Sequence, residues 1–186
     1  MSCYIFGYGS LICSSSRDLT GITGTAFPCS YQGLKRSWSM PILSMKAVVL
    51  VVVQDDTKTC NGVLVQTEES ELPKFDAREI GYTRIKLDLK RFHFIECVPK
   101  ELGEIWVYIS SSNSKADTNC KILQSYVDVV LTGCLEYGES FAKEFIDTTY
   151  GWDGQWDFDR DKPLYPRALK ENTYKSTIDA LLKTCR

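Results

Sequence analysis

The stretch Cys3-Tyr4-Ile5-Phe6-Gly7-Tyr8-Gly9-Ser10-Leu11-Ile12 sets the reading of this chain. Four apolar residues predict a short strand, and Gly7 and Gly9 let the backbone turn sharply behind it. Such a turn gathers backbone N–H groups at one point, a nest for a carboxylate or an oxyanion. The same glycines would also serve a tight turn that binds nothing. The dinucleotide fingerprint GxGxxG fails here, because its third glycine position is Ile12.

Outward from this stretch the chain reads as strands first and helices later. A strand is expected over Gly24–Tyr31. The β-branched run Ala47–Gln54, the turn residues Asp55–Lys58 and the run Cys60–Gln66 predict a hairpin. Thr67–Asp76 is acidic, contains Pro73, and suits a short helix or connector. Tyr82–Leu89 alternates apolar and charged residues like a half-buried strand, and Glu104–Ile109 reads as another. Ser110–Ser114 is a flexible loop by composition. Ile122, Tyr126, Val129, Val130 and Gly133 share one helical face. Phe141, Phe145 and Ile146 mark a second helix, and Tyr174, Ile178, Leu181 and Leu182 a third. Gly151–Arg167, rich in Trp, Asp and Pro, reads as an ordered loop. The order of elements predicts an α+β domain, a small mixed β-barrel with flanking helices.

The chain has 186 residues, 44% hydrophobic and 25% charged, which fits one globular domain spanning 1–186. A net charge of −2 excludes a nucleic-acid partner recruited by overall basicity. The eight cysteines contain no CxxC pair, so neither a zinc ribbon nor a thioredoxin-type motif is expected. The N-terminus has no basic region, and the longest apolar run, Ala47–Val53, is far short of the ~20 residues that cross a bilayer. The expectation is a cytoplasmic protein with free thiols and no membrane association.

A second chemical cluster is Phe75-Asp76-Ala77-Arg78-Glu79-Ile80-Gly81-Tyr82-Thr83-Arg84. Alone it reads as a solvated, salt-bridged face. At a cavity mouth, Glu79 would instead serve as a general base, its pKa raised by burial and lowered by a nearby arginine. Cys13 has no histidine near it in sequence and reads as a buried structural thiol. The one histidine, His93, reads as a surface strand residue. Trp152, Trp156, Asp157, Asp159 and Arg160 read as packing rather than as a lid or a partner surface.

Taken together, the glycine loop and the Glu79 cluster resemble the γ-glutamylcyclotransferase superfamily. Phe6–Ile12 is closest to the substrate loop of its ChaC-type branch. Gly62-Val63-Leu64 followed by Asp76-Ala77-Arg78-Glu79 and Tyr82 is similar to the stretch that carries the family's catalytic glutamate. Gly33–Trp38 resembles its Arg- and aromatic-containing segment, and Tyr126–Gly133 its helix with a pocket-facing tyrosine. The resemblance covers Cys3–Ile146 and leaves Trp152–Arg167 outside the common core.

The resemblance implies cyclisation of a γ-glutamyl group to 5-oxoproline, with release of an amino acid, dipeptide or amine. Glu79 would be the general acid/base. Gly7, Tyr8, Gly9, Ser10, Leu11, Ile12 and Tyr126 would bind a small γ-glutamyl substrate such as glutathione, with no cofactor and no metal. Two other functions fit the same residues: a non-catalytic module that binds a small carboxylate or a protein, and a hydrolase or transferase in which water or another amine attacks.

Overall fold

The computed structural model describes residues 2–96, 98, 99, 102–110 and 119–185, so residues 111–114 of the expected flexible loop lie outside the described residues. Strand β1 (Ser2–Gly7) alternates Tyr4 and Phe6 on one face with Cys3 and Ile5 on the other, and all four are buried. Burial on both faces explains why this stretch is continuously apolar. The chain continues through a 3-10 turn (Ser10–Ile12), a one-turn helix α1 (Ser14–Asp18) and strand β2 (Ala26–Ile42) into strand β3 (Ala47–Glu68).

Strands β2 and β3 form one long antiparallel hairpin that turns at Leu43–Lys46, with Lys46 at φ 50. The expected hairpin within residues 47–66 is corrected: Asp55–Lys58 does not reverse the chain. Its turn chemistry is real, since the Asp55 carboxylate accepts from the Thr57 N–H (3.0 Å) and hydroxyl (2.7 Å). It yields a bulge instead. The register jumps from Gln32 opposite Thr59 to Leu34 opposite Gln54, and Gly33, at φ 119, absorbs the mismatch on the other strand.

Helix α2 (Leu72–Arg78) buries Leu72 and Phe75. Strands β4 (Thr83–Lys86), β5 (Phe92–Phe94) and β6 (Ile105–Ile109) follow, then β7 (Lys121–Leu123), helices α3 (Gln124–Leu135) and α4 (Glu139–Asp147), strands β8 (Thr149–Tyr150) and β9 (Trp156–Asp157), and helix α5 (Lys175–Leu181). Ile122 sits in β7, two residues ahead of the helix expected to carry it. His93 is exposed on β5.

The nine-stranded sheet is mixed and runs β4-β6-β1-β3-β2-β5, with β1 antiparallel to β3 and parallel to β6. The fold is α+β as expected, but the sheet does not close. Among the described residues its outer strands β4 and β5 do not pair, so the expected closure into a barrel is not seen. These strands have only four and three residues, while the β2–β3 hairpin runs on to pair with β7 and β8. One apolar cluster lies within the sheet and its connections, around Phe6, Tyr31, Leu64 and Phe92. A second joins the sheet to α3, α4 and α5, and a third packs α2 on β1 and β6. No helix among the described residues is long and apolar enough to cross a membrane.

Candidate active site

The loop after β1 is fixed from three directions. Tyr8 enters the cluster within the sheet, Leu11 the one under α2, and Ile12 the one beneath the helices. The close approach of α3 depends on Gly133, where a Cβ would lie 2.3 Å from the Cys13 nitrogen. Gly7 similarly lets the turn fold back, since a Cβ there would lie 2.8 Å from the Leu11 Cβ.

Hydrogen bonding gives this loop a polarity. The Tyr8 carbonyl accepts from Arg36 (3.3 Å), and those of Leu11 and Ile12 accept from Arg17 (3.0 and 2.5 Å). The Gly9 and Ser10 carbonyls accept from the N–H groups of Ile12 (2.9 Å) and Cys13 (3.3 Å). The N–H groups of Gly9, Ser10 and Leu11 have no acceptor among the described residues. A loop with its acceptors occupied and its donors free is suited to an anion.

Glu79 arrives from the other side. It ends α2 with φ −90 and ψ 48, its N–H donates to the Phe75 carbonyl, and its own carbonyl accepts from the Tyr82 N–H. Loop and glutamate meet at a small cavity, which Tyr8, Gly9, Ser10, Leu11, Glu79 and Tyr126 line together with Phe6, Leu50, Tyr82 and Tyr108. The tyrosines on this wall are mostly committed: Tyr8 donates to the Tyr108 carbonyl, Tyr108 to Asp76 and Tyr82 to the Leu50 carbonyl. The Tyr126 hydroxyl has no protein partner among the described residues, while its ring stacks on Tyr165 (4.4 Å) and stands edge-on to Trp38. Its hydroxyl reaches the loop, 3.4 Å from a Cβ built on Gly9.

Burial raises the Glu79 pKa, and the positive charges of Arg78 and Arg167 oppose that shift. Arg78 lies closest, its Nε 3.2 Å from the Glu79 carboxylate. The same guanidinium donates to the Ser10 hydroxyl (2.9 Å) and the Thr20 hydroxyl (2.7 Å), and so ties the glutamate to the loop. Arg84 turns away and pairs with Asp76 at 3.1 Å. Burial holds the Tyr8, Tyr82 and Tyr126 phenols protonated, with pKa values above the ordinary one. Burial also pushes the Cys13 thiol up, in keeping with a structural thiol.

Two expected substrate-loop residues lie outside the cavity wall. Gly7 is the last residue of β1, opposite Val63. Ile12 is fully buried in the core and its N–H is spent on Gly9, because the 3-10 turn needs that bond. The reading also missed Tyr165 and Arg167. The segment bearing them is pinned by Asp159, which accepts from Ser125 N–H (2.7 Å), and by Arg160, which pairs with Asp128 (2.7 Å) and Asp179 (2.8 Å). Its density of aromatic and charged residues was the available signal.

Gly9 has φ −138, so no left-handed conformation demands glycine there. Space does. A valine at this position would place its methyl groups toward Tyr126 and Leu50, 3.4 and 3.6 Å from its Cβ. Gly9→Val is expected to abolish small-carboxylate binding by calorimetry while the melting temperature changes little. Unchanged binding would remove the loop from the site.

No protein-family model matches this chain, and no curated protein matches its sequence. Solved structures do. A protein named gamma-glutamyl cyclotransferase superposes with a TM-score of 0.62 at 14% identity, covering 97% of this chain and 99% of that one. An uncharacterized protein from Homo sapiens gives 0.61 at 14% identity over 96% and 98% of the two chains. YkqA from Bacillus subtilis gives 0.53 at 14% identity, covering 81% of this chain and 56% of that one. Agreement over nearly the whole length at so low an identity is agreement of architecture, and the chain has the γ-glutamyl cyclotransferase fold.

Proposed function

We propose that the protein is a γ-glutamylcyclotransferase that converts a γ-glutamyl amide to 5-oxoproline and a free amine. The observation that carries this reading is the pairing, across one small cavity, of a donor-only loop with a part-buried carboxylate of raised pKa. The reaction needs those two elements. The N–H groups of Gly9, Ser10 and Leu11 hold the substrate α-carboxylate. This bends the γ-glutamyl chain so that its own amine faces its γ-carbonyl.

Glu79 accepts a proton from the α-ammonium. The freed amine attacks the γ-carbonyl carbon, forming the ring C–N bond. The bond to the departing nitrogen then breaks as Glu79 returns that proton to it, and the second proton, shed by the ring nitrogen, ends on the released amine, which leaves as its ammonium. No water is consumed. Acid–base work of this kind contributes roughly 10²–10⁴-fold. Holding the chain folded supplies much of the remainder, because the attack is intramolecular. The Tyr126 hydroxyl is available to the developing oxyanion, and one such donor is worth about 3–4 kcal/mol.

The test is product analysis with purified protein and γ-glutamyl-alanine, glutathione and γ-glutamyl-ε-lysine in parallel. Release of 5-oxoproline from at least one is expected. Release of glutamate instead would favour a hydrolase, and no product from any would favour a binding module.

A further inference from the structure

A second cavity opens on another face of α3. Ser125 and Asp128, three residues apart, line it, whereas Tyr126 lines the first. Its other walls come from the segment that follows β9 and from the start of α5, through Arg160, Asp161, Lys170, Asn172 and Lys175.

The charges deepest in this cavity cancel. Arg160 donates from Nε and Nη2 to the two carboxylate oxygens of Asp128 (2.7 and 2.8 Å), and its Nη1 pairs with Asp179 (2.8 Å). The Ser125 hydroxyl is also committed: it donates to Asp159 and accepts from the Tyr165 N–H. The groups left over are mostly donors. Asn172 spends its side-chain oxygen on the Tyr174 N–H (3.1 Å), while its side-chain nitrogen is buried and has no acceptor among the described residues. A buried donor without a partner is costly, and an acceptor arriving from outside the chain relieves that cost. Lys170 and Lys175 form no ion pair among the described residues, and Asp161 is the one lining carboxylate that is likewise unpaired. Two free ammonium groups and one amide donor thus stand against one free carboxylate.

We propose that this cavity binds a phosphate group, free or carried on a small metabolite, with Asn172, Lys170 and Lys175 as its donors. A phosphate ester carries close to two negative charges at neutral pH and three acceptor oxygens, so it can meet an amide donor and two ammonium groups together. A carboxylate brings one charge and two oxygens. Lysine, a compact charge with three donors, suits phosphate without requiring a fixed fork. The site lies apart from Glu79 and stands independently of the cyclotransferase reading. It gives residues 160–175 a binding role that the reaction does not require.

Calorimetry with inorganic phosphate and with glycerol 2-phosphate, at fixed ionic strength and with acetate as the comparison anion, tests it. Saturable binding of at least one phosphate is expected, and the tighter of the two identifies the free ion or the ester as the ligand. Asn172→Asp keeps the oxygen that serves Tyr174 and replaces the donor by an acceptor. It is expected to weaken binding at least about tenfold, the worth of one hydrogen bond to a charged group. Lys170→Ala combined with Lys175→Ala weakens it by at least as much, and Asp161→Asn strengthens it. Gly9→Val, which disables the loop of the first cavity, leaves it unchanged. Circular dichroism melting of each variant shows that the fold is intact. Absence of saturable binding by both phosphates overturns the proposal. So does an affinity unmoved in a folded Asn172→Asp or in the double lysine variant, acetate bound as tightly as phosphate, or binding lost in Gly9→Val, which would place the anion at the first cavity.

Discussion

Replacing Glu79 by glutamine is expected to lower 5-oxoproline formation by at least about 10³-fold while leaving the fold intact, the upper part of the range for a positioned acid–base group. Glutamine keeps the side-chain shape and loses only the exchangeable proton. The stability of this variant carries a second, opposite expectation. Burial raises the folded-state pKa of Glu79 and outweighs the pull of Arg78 and Arg167. A raised folded pKa means that the protonated form is favoured by folding. That contribution is present below the unfolded carboxylate value of about 4.3 and is lost as pH rises through the folded value. At pH 7 the ionised carboxylate therefore burdens the fold, and Glu79→Gln melts at the same temperature as the wild type or higher. The gap closes as the pH falls into the ordinary carboxylate range. For the same reason the acid limb of the wild-type kcat/KM profile is expected above that range. A variant that is inactive but clearly less stable at pH 7 would contradict the electrostatic account of the site.

Arg36→Met is expected to be the most damaging single change to the fold. Arg36 is fully buried and has no carboxylate among its hydrogen-bond partners. Its guanidinium donates to the Asn61 carbonyl and side chain, the Phe145 carbonyl and the Thr148 and Thr149 hydroxyls, and lies 3.6 Å over the Phe145 ring. It thereby joins β2, β3 and α4, and through the Tyr8 carbonyl it supports the candidate anion loop. Methionine fills the volume but strands these acceptors in the core. Removing one partner of a buried charged network costs about 3–5 kcal/mol, which for a chain of this size is a fall of roughly 6–20 °C in Tm. A change below about 2 °C would show that these contacts contribute little.

How much of this was legible in the sequence follows from distance along the chain. β1 and its loop are local: an apolar run and two glycines within ten residues, whose reading as a strand and a turn the structure reproduces. Glu79 was legible as a candidate because resemblance joined it to the loop, although sequence alone allowed a solvated face. The Asp55–Lys58 turn was misread because its side-chain bonds are local, whereas its consequence, a bulge opposite Gly33, depends on the partner strand. The second half of β2, singled out by resemblance over Gly33–Trp38, was not read as a strand because its buried face carries Arg36, which no hydrophobic pattern reveals. Closure of the sheet turned on the lengths of β4 and β5, set by packing rather than propensity. Tyr165 and Arg167 come only after strands β4–β9 and helices α3 and α4, held by contacts of Asp159 and Arg160 that no spacing encodes.

The central claim is that the substrate's own amine, and not water, attacks the γ-carbonyl under the control of Glu79. Turnover of γ-glutamyl-alanine in heavy-oxygen water, read by mass spectrometry, tests it most directly. The account predicts unlabelled 5-oxoproline released in equal amount with alanine, and neither product from Glu79→Gln. Glutamate carrying one solvent oxygen, or 5-oxoproline formed at a normal rate by Glu79→Gln, would contradict it.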